Sequence, residues 1–177
     1  MQAPRLNKRS CFSLLLLLFC TACAPQQPKE RAVRIAALDA ICVPPPGWTL
    51  DRAEQTARYV QRVWVSPTGR TSYGVIRFVM PLPVGNSIAL TGFLAEMKRA
   101  EGDSRLISKT PLSDAAGNRL AFVAEGGRYH TNGIIRTRGT VGWAIYAGTL
   151  RSGPLALDEI SLAVHARDST IPGPAGR

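Results

Sequence analysis

Histidine, acid and paired cysteine are all scarce in this chain, and each shortage narrows its chemistry. His130 and His165 are the only histidines. A hydrolase needs a nucleophile with a base in hydrogen-bond reach, and no Gly-x-Ser-x-Gly elbow is present. Phosphate loops, dinucleotide fingerprints and His-Glu-x-x-His are missing too. His130 lies beside Thr131 and Asn132 in a strand-to-turn passage, where a solvated or structural role is expected. His165, late in the last helical segment, reads as a charge on the negative helix end. The carboxylates Asp39, Asp51, Glu54, Glu96, Glu101, Asp103, Asp114, Glu125, Asp158 and Glu159 are scattered. Asp158-Glu159 is the adjacent pair among them, and the helix dipole accounts for it. No catalytic residue, cofactor or metal is therefore assigned, and the chain is read as a non-enzyme. The alternative is a secreted or envelope hydrolase with a site assembled from residues distant in sequence. His130 or Asp51, desolvated beside another polar group, would mark it.

Long apolar runs are missing as well. The longest, Cys11 to Ala22, has 12 residues, against the ~20 that span a bilayer. It follows Arg5, Lys8 and Arg9 and gives way to Ala24-Pro25-Gln26-Gln27-Pro28. A basic start, a short apolar core and small residues before a cut make a secretory signal over residues 1–22. The ending, Cys20-Thr21-Ala22-Cys23, resembles the lipobox of bacterial lipoproteins, with Cys20 standing where a Leu is usual. That resemblance implies a lipidated Cys23, carrying diacylglyceryl and often a further N-acyl chain, as the mature N-terminus. An ordinary signal peptidase would cut the same bond at its small-x-small site, so plain secretion is the alternative. Ala24, not Asp, follows Cys23, which favours the periplasmic face of an outer membrane in a host that has one.

Cys11 and Cys20 leave with the signal and lipid consumes Cys23. Cys42 remains alone, without an intrachain disulfide or a zinc cluster. It precedes three prolines on an apolar strand and reads as an inert buried thiol. Acid is the last shortage: 22 Lys and Arg face 12 Asp and Glu, a net charge of +10. Three of the basic residues lie in the signal, so the mature 155 residues carry +7. That excess favours anionic partners such as lipid headgroups or acidic wall polymers. Export argues against nucleic acid. Arg136 and Arg138 are two apart on one strand and share a face. With Arg58 and Arg62 near them they would form a basic stripe for anionic lipid or polymer, and an envelope protein is a further candidate partner.

Residues 23–33 read as an extended, solvated tether and 169–177, rich in Pro and Gly, as a disordered tail. The folded domain is expected over 34–168. Val33–Val43 reads as an apolar strand ended by Pro44-Pro45-Pro46-Gly47-Trp48, with Trp48 plugging a core edge. Tyr59–Val65 and Tyr73–Met80 flank the turn Ser66-Pro67-Thr68-Gly69 as a hairpin. Leu90, Phe93, Leu94 and Met97 fall on one helix face, and Gly102 ends that helix. Strand patterns return at Arg105–Lys109, Arg119–Glu125, Gly133–Thr140 and Trp143–Leu150. Leu155–Arg167 closes the chain as a helix whose Leu157, Ile160 and Val164 face the sheet.

This order argues α+β: an antiparallel sheet covered by helices, in one domain. On the Pro46-Gly47-Trp48 corner, the hairpin, the middle helix, the strands around Gly126-Gly127 and Trp143, and the closing helix, the domain resembles the PsbP-like and DcrB-like group. The resemblance implies an α/β sandwich and a non-catalytic accessory or binding module.

The anchor is tested by Cys23→Ser. One acyl chain holds a protein only marginally, whereas two or more anchor it. The variant is expected in the soluble envelope fraction or as uncleaved precursor on fractionation, with Cys42→Ser still membrane-bound. Normal processing with membrane retention of Cys23→Ser would contradict the anchor.

Overall fold

Period-two alternation builds most of the chain into sheet. The computed structural model describes residues 31–114 and 117–173; the signal, Cys23 and residues 174–177 lie outside the described residues. Seven strands form the main sheet: β3 (Thr49–Gln55), β4 (Tyr59–Val65), β5 (Thr71–Val79), β6 (Ser104–Asp114), β7 (Gly117–Gly126), β8 (Tyr129–Arg138) and β9 (Val141–Leu150). Their order is β3-β4-β5-β9-β8-β7-β6, antiparallel throughout. A small sheet pairs β1 (Val33–Ile35), β2 (Ala40–Cys42) and β10 (Ile171–Pro172), with β2 in the middle. Two helices, α1 (Asn86–Glu101) and α2 (Leu157–Ser169), complete an α+β domain that is mostly sheet.

Each face of the main sheet is covered over a different half. On one, Val60, Trp64, Tyr73, Val75, Ile145 and Ala147 pack against Ala163 and Ala166 of α2 and against Leu38, Ala40 and Cys42. On the other, Leu120, Phe122, Ala124, Ile135 and Ala144 meet Ala89 and Leu90 of α1, with Phe93 and Leu94 beside them. Two glycines set the aromatic packing on this second face. A Cβ at Gly74 would stand 2.3 Å from the Tyr146 ring, and one at Gly133 2.4 Å from the Phe122 ring. Both rings lie flat over backbone that only glycine leaves open.

The first hairpin and α1 match their sequence patterns, and α1 ends at Gly102 in the left-handed region, φ 86°. Elsewhere the structure corrects the sequence reading. Val33–Val43 is not one strand: a 3-10 turn over Ala36–Leu38 and a left-handed Asp39, φ 47°, fold it into the β1–β2 hairpin. Val33, read as tether, is the first residue of β1. Strand β3 was not expected, because nearly all its residues face water and leave no alternation. Trp48 is only partly buried at the edge of the first core.

In α2 the fully buried residues are Ala163 and Ala166, with Val164 packed beside them as expected, while Leu157 is exposed. Two alanines let the helix backbone come close to β9 and β5, which larger side chains would prevent. The tail is not disordered from 169. Ser169 ends α2, Ile171 and Pro172 pair with Ile41 and Ala40, and the Gly173 N–H donates to the Asp39 carbonyl at 2.7 Å. Pro and Gly prevent a helix there but not a short strand on a waiting partner.

A buried polar chain joins the small sheet to α2. The Thr170 hydroxyl donates to the Ala166 carbonyl at 2.7 Å, so the Tyr73 hydroxyl is the donor to Thr170 Oγ1. Cys42 is hydrogen-bonded to the same phenol. Burial, partly offset by the Tyr73 hydrogen bond, pushes the Cys42 thiol up from 9.0 to about 11. Burial and the neighbouring Cys42 push Tyr73 up as well. Both groups are neutral when protonated, so the folded state holds these protons more tightly than the unfolded chain does. The resulting stabilisation is complete below about pH 9 and is lost as pH rises through about 11. The melting temperature is expected to fall across that window, by about 2–3 kcal/mol of stability from the thiol alone. Cys42→Ala should flatten the decline, and a constant melting temperature from pH 8 to 11 would contradict the assignment.

Candidate anion-binding face

The main sheet has two ends. Call the lower end the one bearing residues 66–70, 127–128 and 151–156, and the upper end the one bearing 56–58 and 139–140. Antiparallel register carries residues from distant segments into rows across the sheet. One upper row runs Val60, Arg77, Trp143, Arg136. The next runs Val79, Val141, Arg138, and the Val79 N–H donates to the Arg58 carbonyl at 2.9 Å. Arg136 and Arg138 therefore share a face, as the alternation requires. Arg77 stands two strand spacings from Arg136, ~10 Å, on that same face.

Arg62 lies on the same face one row lower, diagonal to Arg77, but is directed away from the group. Its Nη1 donates to the Glu54 carbonyl at 3.1 Å and to the Gln61 carbonyl at 2.7 Å, turning the guanidinium toward the β3 edge. Its row is Val75, Ile145, Ile134, all apolar, so a charge there turns outward. Arg77 takes its place. The sequence signal for Arg77 was weak: one Arg inside an apolar strand, whose neighbours appear only once β5 pairs with β9. Its Nε is buried and has no hydrogen-bond partner.

Arg136 and Arg138 hold the C-terminal segment. Arg136 Nη1 donates to the Pro172 carbonyl at 3.1 Å and Arg138 Nη1 to the Gly173 carbonyl at 3.0 Å. Arg138 also lies over the Trp143 ring, 5.7 Å from its centroid, with Nη2 3.4 Å from the Asp39 carboxylate. Among the described residues, Asp39 is the carboxylate that pairs with any of Arg58, Arg77, Arg136 and Arg138. The upper end thus carries four arginines with one paired carboxylate among the described residues, while Glu54 on the β3 edge is engaged by Arg52 and the Tyr59 hydroxyl.

The residues considered for catalysis lie elsewhere. His130 sits half-exposed at the lower end, its Nδ1 3.7 Å from Glu125 Oε1. The Arg105 hydrogen bond holds the Glu125 carboxyl below its ordinary range, with Arg151 and His130 adding to it. Asp51 is exposed at the β3 bulge. His165 is exposed on α2, its Nε2 3.4 Å from Ser169 Oγ. A shallow depression of about 400 Å³ lies at the start of α1, between Asn86, Ile88, Leu112 and Leu120.

No protein-family model matches the sequence, and no curated protein sequence matches it. A crystal structure of a protein from Bacteroides thetaiotaomicron VPI-5482 is similar at a TM-score of 0.36 and 12% identity, covering 86% of this chain. This chain spans about half, 51%, of that neighbour's length. The likeness is too loose to carry a functional argument.

The Arg138 contacts make the first test of this face. Arg138→Gln is expected to speed amide exchange at Gly173 and to cost about 1 kcal/mol of stability. Unchanged exchange at Gly173 would mean that the guanidinium does not hold the C-terminal segment.

Proposed function

We propose that the chain is a lipid-anchored envelope module without catalytic activity that binds an anionic component of the envelope through the upper end of its sheet. The lipobox at Cys23 supplies the anchor. In a host with an outer membrane, the periplasmic face of that membrane is the proposed location. The α+β sandwich and the Pro46-Gly47-Trp48 corner support placing the domain with the PsbP-like and DcrB-like group, whose members are mostly accessory and binding modules. The observation that carries the binding reading is the Arg58, Arg77, Arg136 and Arg138 field, for which Asp39 is the paired carboxylate among the described residues. Anionic polymer or lipid headgroup phosphates suit it, because several separated guanidiniums favour a ligand with repeated negative charge.

The test is binding of the detergent-solubilised protein to immobilised polyphosphate, followed across salt concentration. Affinity is expected to fall as salt rises. Arg58→Glu with Arg77→Glu should weaken it by about tenfold, roughly 1.4 kcal/mol. Arg105→Glu, at the lower end, should leave it unchanged. Equal binding by all three proteins would leave the arginines as a solvated surface.

A further inference from the structure

The lower end carries a feature that anion binding does not use. β1 runs from Val33 away from the lower end, and β2 returns toward it. Val33 pairs with Cys42, whose neighbours lead through the three prolines to Thr49, and Thr49 pairs with Val65 beside the 66–70 turn. The segment preceding Val33 therefore joins the domain at the lower end. Leu155 and Leu157 are 66% and 69% exposed at that same end. They are not loose side chains awaiting a core. Arg70 donates through Nε to the Pro154 carbonyl at 3.0 Å and through Nη2 to the Ser152 carbonyl. Gly153, at φ 85°, closes the bend over that guanidinium. The Arg151 N–H donates to the Arg128 carbonyl at 2.8 Å, fixing this loop to the β7–β8 turn. The result is a rigid tip with two leucines on it and Arg128 and Arg151 at its base.

We infer that this tip, the loop Arg151–Leu157 with Arg128, rests in the headgroup region of the bilayer to which the chain is attached. The inference depends on the lipid-anchored reading above. Two leucines would enter the acyl boundary while the arginine stems lie along it with their heads at phosphate level. The acids at this end make the contact apolar in origin. Glu125 is paired with Arg105, Glu159 accepts from Thr68 at 2.7 Å, and Asp103 is exposed beside the 127–128 turn. Asp158 sits in the first turn of α2, where the helix dipole favours it. With acids and bases both present, the tip needs no anionic lipid. The basic field at the upper end is then held about one strand length, ~30 Å, from that bilayer, so its ligand is a polymer or an opposing surface and not the headgroups of the anchoring membrane.

The test uses the full chain made with its own leader, extracted in mild detergent and reconstituted into phosphatidylcholine vesicles. An environment-sensitive fluorophore is placed at Ser152→Cys or, at the upper end, at Thr140→Cys. Cys42 is fully buried and stays unlabelled. Nitroxide-labelled lipid is expected to quench the probe at 152 at least threefold more than the probe at 140. Leu155→Ser with Leu157→Ser should remove that difference while the protein still floats with the vesicles. Flotation with equal quenching at both positions overturns the placement and leaves the anchor standing. Failure to float overturns both.

Discussion

The Trp143 indole donates to the Leu38 carbonyl at 2.8 Å, and both groups are buried. This bond joins the centre of the main sheet to the 3-10 turn near the start of the described chain, and the small sheet is assembled around it. Leu38 fixes Asp39, whose carbonyl receives the Gly173 N–H and whose carboxylate meets Arg138. Without the indole donor, a buried carbonyl would go unsatisfied, at a cost of about 1–3 kcal/mol. The C-terminal segment passes at van der Waals distance over the same ring, since a Cβ at Gly173 would lie 3.1 Å from Trp143 Cη2. Both ends of the described chain thus depend on one side chain in β9.

That dependence explains what could be read from the sequence. The β4–β5 hairpin and α1 each bury one regular face, so hydrophobic spacing reported them. Strand β3 pairs along an edge and buries almost nothing, which erases the pattern. The fully buried stripe of α2 is alanine, with Val164 beside it, and alanine's hydrophobicity is too slight to stand out beside Leu157, although its small size is what the close packing requires. β10 has two paired residues, too few for any periodicity. Among the candidate site residues, Arg136 and Arg138 were visible as a same-strand pair. The placement of Arg77 and the diversion of Arg62 were not, because register across β4, β5, β9 and β8 decides both.

On the proposed reading, the upper face puts structural and binding demands on the same side chains. Arg136 and Arg138 have carbonyls to hold, and a guanidinium with several donors can hold a carbonyl while presenting charge. Their field is short-ranged, screened within ~8 Å at physiological salt. A compact anion would meet only part of it. A polymer lying across the strands would meet several of its charges at once.

The two outer strands of the sheet face a different problem. Backbone groups on β3 and β6 point outward without partners in the sheet, and such rims template pairing between chains. Each rim is interrupted: the β3–β4 register shifts between Leu50 and Arg52, and the β6–β7 register between Leu106 and Ser108. Pro111 removes an amide donor from β6, and Lys109 adds charge beside it. Were the chain anchored as proposed, confinement to two dimensions would raise encounter frequency, and these irregularities would keep neighbouring sheets from growing into one another.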